Sequence, residues 1–426
     1  MRGLLLPGIK LKRWLLLLAL GILGIISFII LTFSTELAYF FNLLNHQLTQ
    51  LAQLPVHSYS PKLIAEILIF IVSLALLILG GRGFISYLID ALIPEKKGKI
   101  WSLLQKHSIR ETAPKIVVIG GGTGLNSILS GLKKYTNNLT AVVSVTDEGG
   151  SSRKLRYEFG MLPPGDIRNC IVALSESGPE MARLLEYRFD KGALKGHSFG
   201  NLLITALTKT TGSFAEAVEE TGKILAIRGK VLPVTLKQTT LCAELENGKI
   251  IEQEPKVEEH KTKYNSEIKR LFIKPKDAAA YPEALNEIRN ADLVVLGPGS
   301  LYTSILPNLL VKGVPEAIRN SNATKVYVCN VMTQPGETDN YTASDHVSRI
   351  VKHLGKDVLD HVVVNKERAP EKLYTRYRKE GASRVKIDRE NLDKLEVDVV
   401  EAELLTKKNL LRHDTDKLAR AVIDLT

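Results

Sequence analysis

Two hydrophobic rhythms divide the chain. An uncharged apolar stretch of twenty residues runs from Trp14 to Phe33, and a second, Leu63 to Leu79, carries Glu66 as its one acidic residue near its start. Twenty helical residues at 1.5 Å each cover the roughly 30 Å of hydrocarbon in a bilayer. The pattern therefore predicts a transmembrane hairpin over residues 1–81. A cleaved signal would have a shorter apolar core with small residues at its end, whereas here the run continues through Ile29, Ile30 and Leu31.

Beyond Pro114 the rhythm changes. Short β-branched runs at Lys115–Ile119, Leu139–Val145, Ala291–Leu296, Lys325–Cys329 and His361–Asn365 alternate with helical spacings such as Leu125, Ile128, Leu129 and Leu132. This alternation predicts an α/β, Rossmann-like, doubly wound and mostly parallel sheet over residues 115–426. Ser213 predicts a capped helix through Leu225, and Asp345 and His346 open another that ends near Leu354. Short β runs from Val231 with an Asn247-Gly248 hairpin signal predict a β insertion at 231–275, with Glu252 to Lys263 as an exposed excursion. Residues 366–426 read as a charged C-terminal extension without a motif, closed by a helix from Asp414 to Leu425.

Charge refines this picture. The formal net charge is +11, of which residues 1–114, with eleven Lys/Arg and five Asp/Glu, supply +6. The remaining 312 residues carry +5 and no compact basic stripe with interleaved aromatics, which argues against nucleic-acid binding. Arg2, Lys10, Lys12 and Arg13 precede the first span, and Arg82, Lys96, Lys97 and Lys99 follow the second. Lys62 is alone in the loop between them. By the positive-inside rule the chain is expected in the inner membrane, with both termini and the main domain cytoplasmic. Residues 82–114 then read as a basic connector along the inner leaflet. Cys170, Cys242 and Cys329 lack any paired spacing and read as small buried residues in a reducing compartment.

The candidate chemistry lies in the loops after the predicted strands. Gly121, Gly122, Thr123 and Gly124 between a strand and a helix form a phosphate cradle, because glycine admits close backbone approach and the helix start offers free N–H groups. The dinucleotide fingerprint is broken, since its third glycine falls on Leu125 or Ser127. Asp147 follows Gly124 by 23 residues, about where a Rossmann acid meets a ribose. Gly149, Gly150, Ser151 and Ser152 make a second cradle with Arg153, Lys154 and Arg156 nearby, which argues for a diphosphate or two phosphates. Two prolines and Gly165 stiffen the loop presenting Asp166, Arg168 and Asn169. His197 and Asn201 stand at another helix start. Gly297, Gly299, Ser300, Tyr302 and Thr303 repeat the pattern, Tyr302 as a base-stacking or sugar-bonding candidate. Asn330 opens a fourth polar loop. No HExxH, nucleophile elbow or GxxxxGKS occurs.

The stretches VVIGGGTGLNSILSGLK, VTDEGGSS, LRYEFGMLPPGDIRNCIVAL, GHSFGNLLI, ADLVVLGPGSLYTSILPNLL and VYVCNVMTQPGETDNYTASDHV together resemble the bacterial gluconeogenesis-factor family, whose domain is called CofD-like after 2-phospho-L-lactate transferase. The resemblance implies a Rossmann-like body, a nucleotide-diphosphate-sugar ligand such as UDP-N-acetylglucosamine, and a role in cell shape and wall synthesis during gluconeogenic growth. Carried over by position, Gly122, Thr123, Gly124, Ser151, Ser152, Asn201, Gly299, Ser300, Tyr302 and Asn330 would line the pocket. Where the family has two aspartates before the glycine pair and a glycine after the two serines, this chain has Glu148 and Arg153.

The leading expectation is a membrane-tethered nucleotide-sugar-binding regulator without turnover, partnered by wall-synthesis or regulatory proteins, with homo-oligomerisation left open. The alternative is a Mg²⁺-dependent transferase of a phospho-lactyl or related group. In that reading Asp147 holds the metal, Asp166 and Arg168 join the chemistry, and Mg²⁺ accompanies the nucleotide diphosphate as the one cofactor.

Overall fold

The computed structural model describes residues 9–46, 61–92, 113–258, 260–406 and 410–426. The chain divides into two compact units, Met1–Ser108 and Ile109–Thr426.

In the first unit, helices α1 (Ile9–His46) and α2 (Pro61–Leu92) contain apolar windows of 22 and 23 residues, Lys12–Phe33 and Ala65–Tyr87, with mean hydropathies of 2.9 and 2.3. Both are long and apolar enough to cross a membrane. Their mutual contact is built on small residues, with Gly21 against Leu77, Gly24 against Ser73, Gly80 against Leu18 and Gly83 against Trp14. Residue numbers rise on one helix as they fall on the other, so the pair is antiparallel. A Cβ on Gly24 would lie 2.0 Å from Ser73 Oγ, so glycine sets how closely the helices approach. Only 6% and 17% of the two windows are buried. The first part of the predicted connector, residues 82–92, continues α2 as helix, and residues 93–112 lie outside the described residues.

The second unit is built on strands β1 (Ile116–Gly120), β2 (Leu139–Val143), β3 (Lys230–Pro233), β4 (Thr240–Leu245), β5 (Ile250–Glu252), β6 (Ile268–Lys274), β7 (Leu293–Leu296), β8 (Thr324–Val328), β9 (His361–Asn365) and β10 (Asp398–Ala402). Seven of them form one sheet in the order β10-β9-β8-β7-β1-β2-β3, and every pairing in it is parallel. Every residue of β1, β2 and β7 is buried. That is the reason their sequences read as unbroken apolar runs without alternation. Helices α3 (Gly124–Leu132), α4 (Gly150–Phe159), α5 (Gly165–Leu174), α6 (Pro179–Glu186), α7 (Phe199–Thr211) and α8 (Phe214–Ile224) join the first three strands. Ser213 caps α8 by accepting from the Glu216 N–H, and Thr342 and Asp345 form a capping box on the helix Ala343–Leu354. The three cysteines are free and buried.

Three expectations need correction. The strand at Lys230–Pro233 is an edge of the main sheet, and the insertion proper is the antiparallel sheet β5-β4-β6. The charged stretch after β5 is only partly an exposed excursion, with Glu252, Glu258 and Lys263 exposed. It folds into two short helices, Glu254–Glu258 and His260–Tyr264, that bury Val257 and His260. Residues 366–426 are not an appendage either, because they supply β10 and a C-terminal helix, Thr415–Ile423, with Leu418, Ala419 and Val422 fully buried. Asp414 caps that helix, accepting from the N–H groups of Asp416 and Lys417.

The C-terminal helix packs on α3 at Gly131, where a Cβ would lie 2.3 Å from the Thr415 carbonyl oxygen and 2.6 Å from Ala419 Cβ. A backbone carbonyl cannot rotate away as a side chain can. Replacing Gly131 by Leu should therefore cost about 1–3 kcal/mol, read as a lowered urea midpoint of the full-length protein in detergent. An unchanged midpoint would show that this helix is not part of the folded body.

Candidate functional site

Strands β1, β2 and β3 follow one another outward in one direction, and β7, β8, β9 and β10 in the other, so the winding reverses between β1 and β7. Crossover loops diverge at such a reversal and leave a crevice outside the carboxyl ends of the strands. The loop after β1 turns at Gly122, whose φ of +65° is a left-handed conformation that suits glycine. Gly124 then starts α3 against the loop after β7. A Cβ there would lie 2.3 Å from the Pro298 carbonyl oxygen and 2.8 Å from Gly299 Cα. Between these loops opens a cleft of about 1140 Å³, lined by Gly122, Thr123, Gly124, Asp166, Gly299, Ser300, Thr303 and Asn330 among the residues singled out by sequence.

The loop after β7 is held from beneath by a residue that the sequence did not single out. Leu301–Ile305 forms a π-helical turn, and the fully enclosed Glu337 from the loop after β8 accepts from the Ser300 hydroxyl and from the Tyr302 N–H at 2.9 Å. Asn330 donates to the Gly299 carbonyl at 2.9 Å. Tyr302 is not a stacking platform. It is 3% exposed, and its hydroxyl lies 2.7 Å from that of Tyr341.

None of Gly149, Gly150, Ser151 and Ser152 of the second cradle lines this cleft, and Glu254 stands between the cleft and the Glu148 N–H. Gly150 is exposed at the start of α4, but the serines that follow it turn inward. Ser151 Oγ lies 3.0 Å from His197 Nδ1 and accepts from Asn201 Nδ2 at 3.2 Å, with all three side chains buried. Ser152 Oγ and Asp147 Oδ2 both crowd Gly165, where a Cβ would lie 2.4 and 2.5 Å from them. Gly121 in turn lies against Asp166 Oδ2. The Arg168 guanidinium donates to Ser198 Oγ, to Asn201 Oδ1 at 3.0 Å and to Asn169 Oδ1 at 2.7 Å. His197, Asn201, Ser151, Arg168 and Asn169 thus form a polar brace that ties α4, α5 and α7 together behind the cleft. Gly297, at φ +79°, shapes the turn into Pro298. Arg156 is no free cation beside the loop. It pairs with Glu148 at 3.1 Å, the side chains 6% and 1% exposed, and also donates to the Thr239 carbonyl. That pairing commits Glu148, the residue before the Gly149-Gly150 pair.

Carboxylates dominate the electrostatics. Burial, then the neighbouring charge of Asp147, pushes the Asp166 carboxyl up to about 7. Burial also pushes Glu337 up to about 7, although its hydrogen bonds oppose the shift. Glu254 is held well above the ordinary range by burial and then by Asp147. It accepts from the Glu148 N–H at 2.9 Å, and it lines the cleft together with Glu258. Sequence reasoning misses both acids, because the charges of Glu252 to Lys263 read as a solvated stretch. The opposite wall comes from the C-terminal region, including Tyr377, Leu411, His413 and Thr415. Burial lowers His413 to about 4, so its imidazole is neutral at physiological pH. The one local signal for this wall is the cap at Asp414.

Among the described residues no group of three or more His, Cys, Asp or Glu side chains is placed to hold a metal ion. Asp147, the metal candidate, accepts from the Gly149 N–H at 2.8 Å. A Mg²⁺ ion accompanying a nucleotide diphosphate needs only one or two protein carboxylates, and Asp147 with the neighbouring Asp166 are the residues that would hold it.

A parallel doubly wound sheet with glycine loops converging at its switch point defines a Rossmann-like α/β domain. The family described as 2-phospho-L-lactate transferase CofD matches residues 116–405. The gluconeogenesis factor of Bacillus subtilis is 46% identical over 314 residues, covering 73% of this chain and 98% of its own. A Clostridium acetobutylicum relative carrying the gluconeogenesis-factor name is 43% identical over 424 residues, 98% of this chain and 90% of its own. The crystal structure of a UPF0052-family protein from Bacillus halodurans, 45% identical, superposes with a TM-score of 0.70 over 73% of this chain and 99% of its own. This chain belongs to the gluconeogenesis factor family with a CofD-like domain.

The raised Asp166 value has a thermodynamic consequence. Between its ordinary 3.8 and about 7 the folded protein holds a proton that the unfolded chain has released, so folding stability falls as pH rises through that window. Asp166→Asn removes the buried charge. Because each tenfold change in proton affinity is worth about 1.4 kcal/mol, the variant should exceed the wild type by roughly 2–4 kcal/mol at about pH 8, and the gap should close toward about pH 4. Urea unfolding at a series of pH values checks this.

Proposed function

We propose that this protein is a membrane-tethered regulator that binds a nucleotide-diphosphate sugar, UDP-N-acetylglucosamine or a close analogue, without turning it over. In this reading it sits in the inner membrane with its main domain in the cytoplasm and adjusts wall synthesis and cell shape during gluconeogenic growth. The observation that carries the proposal is the apposition of the Gly122–Gly124 loop and the Gly299–Ser300 loop across one cleft. Close backbone approach and free N–H groups at the start of α3 suit phosphate oxygens. The adjoining wall of Val331, Met332, Tyr377 and Leu411 gives a nucleoside and a sugar an apolar surface to lie on.

Calorimetry on the full-length protein in detergent should detect UDP-N-acetylglucosamine, and no binding at millimolar ligand would end the proposal. Gly124→Ala should weaken binding about tenfold or more, equivalent to about 1.4 kcal/mol, because the methyl group meets the Pro298 carbonyl. One observation favours a second reading, a transferase: burial and then the nearby Asp147 raise the Asp166 carboxyl to about 7, so two acids stand together with one of them poised to exchange a proton near neutrality. Asp147→Asn separates the two. A binder keeps most of its affinity, whereas a transferase loses product formation from nucleotide donors with Mg²⁺.

A further inference from the structure

The insertion places acids at donors belonging to two separate loops. Its helix Glu254–Glu258 packs against β4 and the turn Leu301–Ile305, anchored by the fully buried Val257. At one end Glu254 takes the Glu148 N–H, beside the Gly149-Gly150 loop. At the other, Glu258 Oε1 receives the Thr303 hydroxyl of the Ser300 loop in a long contact of 3.4 Å. These are the kinds of donor that a phosphate oxygen would use, and both acids line the cleft.

We propose that this helix is a built-in stand-in for the ligand: Glu254 and Glu258 hold backbone and hydroxyl donors of the two loops in the free protein and are expelled when a nucleoside diphosphate enters. The inference rests on the nucleotide-sugar reading of the cleft.

The seat is costly to hold, which makes release feasible. Glu254 is enclosed beside Asp147 and Asp166, and burial with those like charges raises its pKa well above the ordinary range. The segment also follows Gln253 at φ +85°, a left-handed conformation unfavourable for a side chain of its type. Expulsion would free Glu254 from burial and relax the backbone at Gln253 while the ligand takes over the donors.

Hydrogen exchange of residues 254–264, followed in the full-length protein with and without UDP-N-acetylglucosamine, tests the inference directly. Saturation should speed exchange across this segment several-fold, and the Glu254→Gln/Glu258→Gln variant should bind the ligand at least fivefold more tightly. Removal of negative charge alone would tighten binding without releasing the helix, so exchange that stays unchanged or slows on saturation overturns the stand-in while leaving the ligand reading intact. Absence of binding in both proteins overturns the ligand reading and the stand-in with it.

Discussion

The contact between Gly124 and the Pro298 carbonyl is the constraint on which the site depends. It joins the first turn after β1 to the first turn after β7, the two strands between which the sheet reverses its winding. A side chain on either glycine-rich loop would hold them apart and widen the crevice where parallel sheets receive ligands. From this contact outward the molecule is arranged to fix loop positions. Glu337 ties the Ser300 turn to the loop after β8, and the brace of Arg168, His197 and Asn201 ties α5 and α7 to the start of α4.

Such bracing requires buried polar groups, and here most of the charged ones are acids. A buried carboxylate is tolerated when donors surround it or when it holds a proton. Glu337 relies on donors, Glu148 on Arg156, while Asp166 and Glu254 crowd one another and Asp147. Burial and like charges therefore favour the protonated forms of Asp166 and Glu254 in the cleft.

The membrane-length helices follow a different logic. Their apolar faces are mostly exposed and their contact is made by glycines, as expected where lipid replaces the core and close backbone approach replaces hydrophobic collapse. The Bacillus subtilis relative is matched over nearly all its own length by only 73% of this chain, whereas the Clostridium acetobutylicum relative aligns with 98% of it. The α/β body thus recurs in relatives of both lengths.

Helix, strand and loop types were legible because they follow local periodicity. Apolar runs marked β1, β2, β7, β8 and β9, glycines marked the turns after them, and Ser213 and Asp414 marked helix starts. Even the Asn247-Gly248 hairpin was readable, joining β4 to β5 with Gly248 at φ +81°. What could not be read was direction: Ser151, His197 and Tyr302 share the composition of the cleft residues yet face inward, while Glu254, Glu258 and the wall around Tyr377 and Leu411 face the cleft from segments that read as solvated. The chain by itself determined its elements and the existence of phosphate-suited loops, since these depend on neighbours a few residues away. Tertiary structure alone decided which side chains line the cleft, since that depends on contacts such as Gly124 with Pro298 and Glu148 with Glu254, formed between segments more than a hundred residues apart.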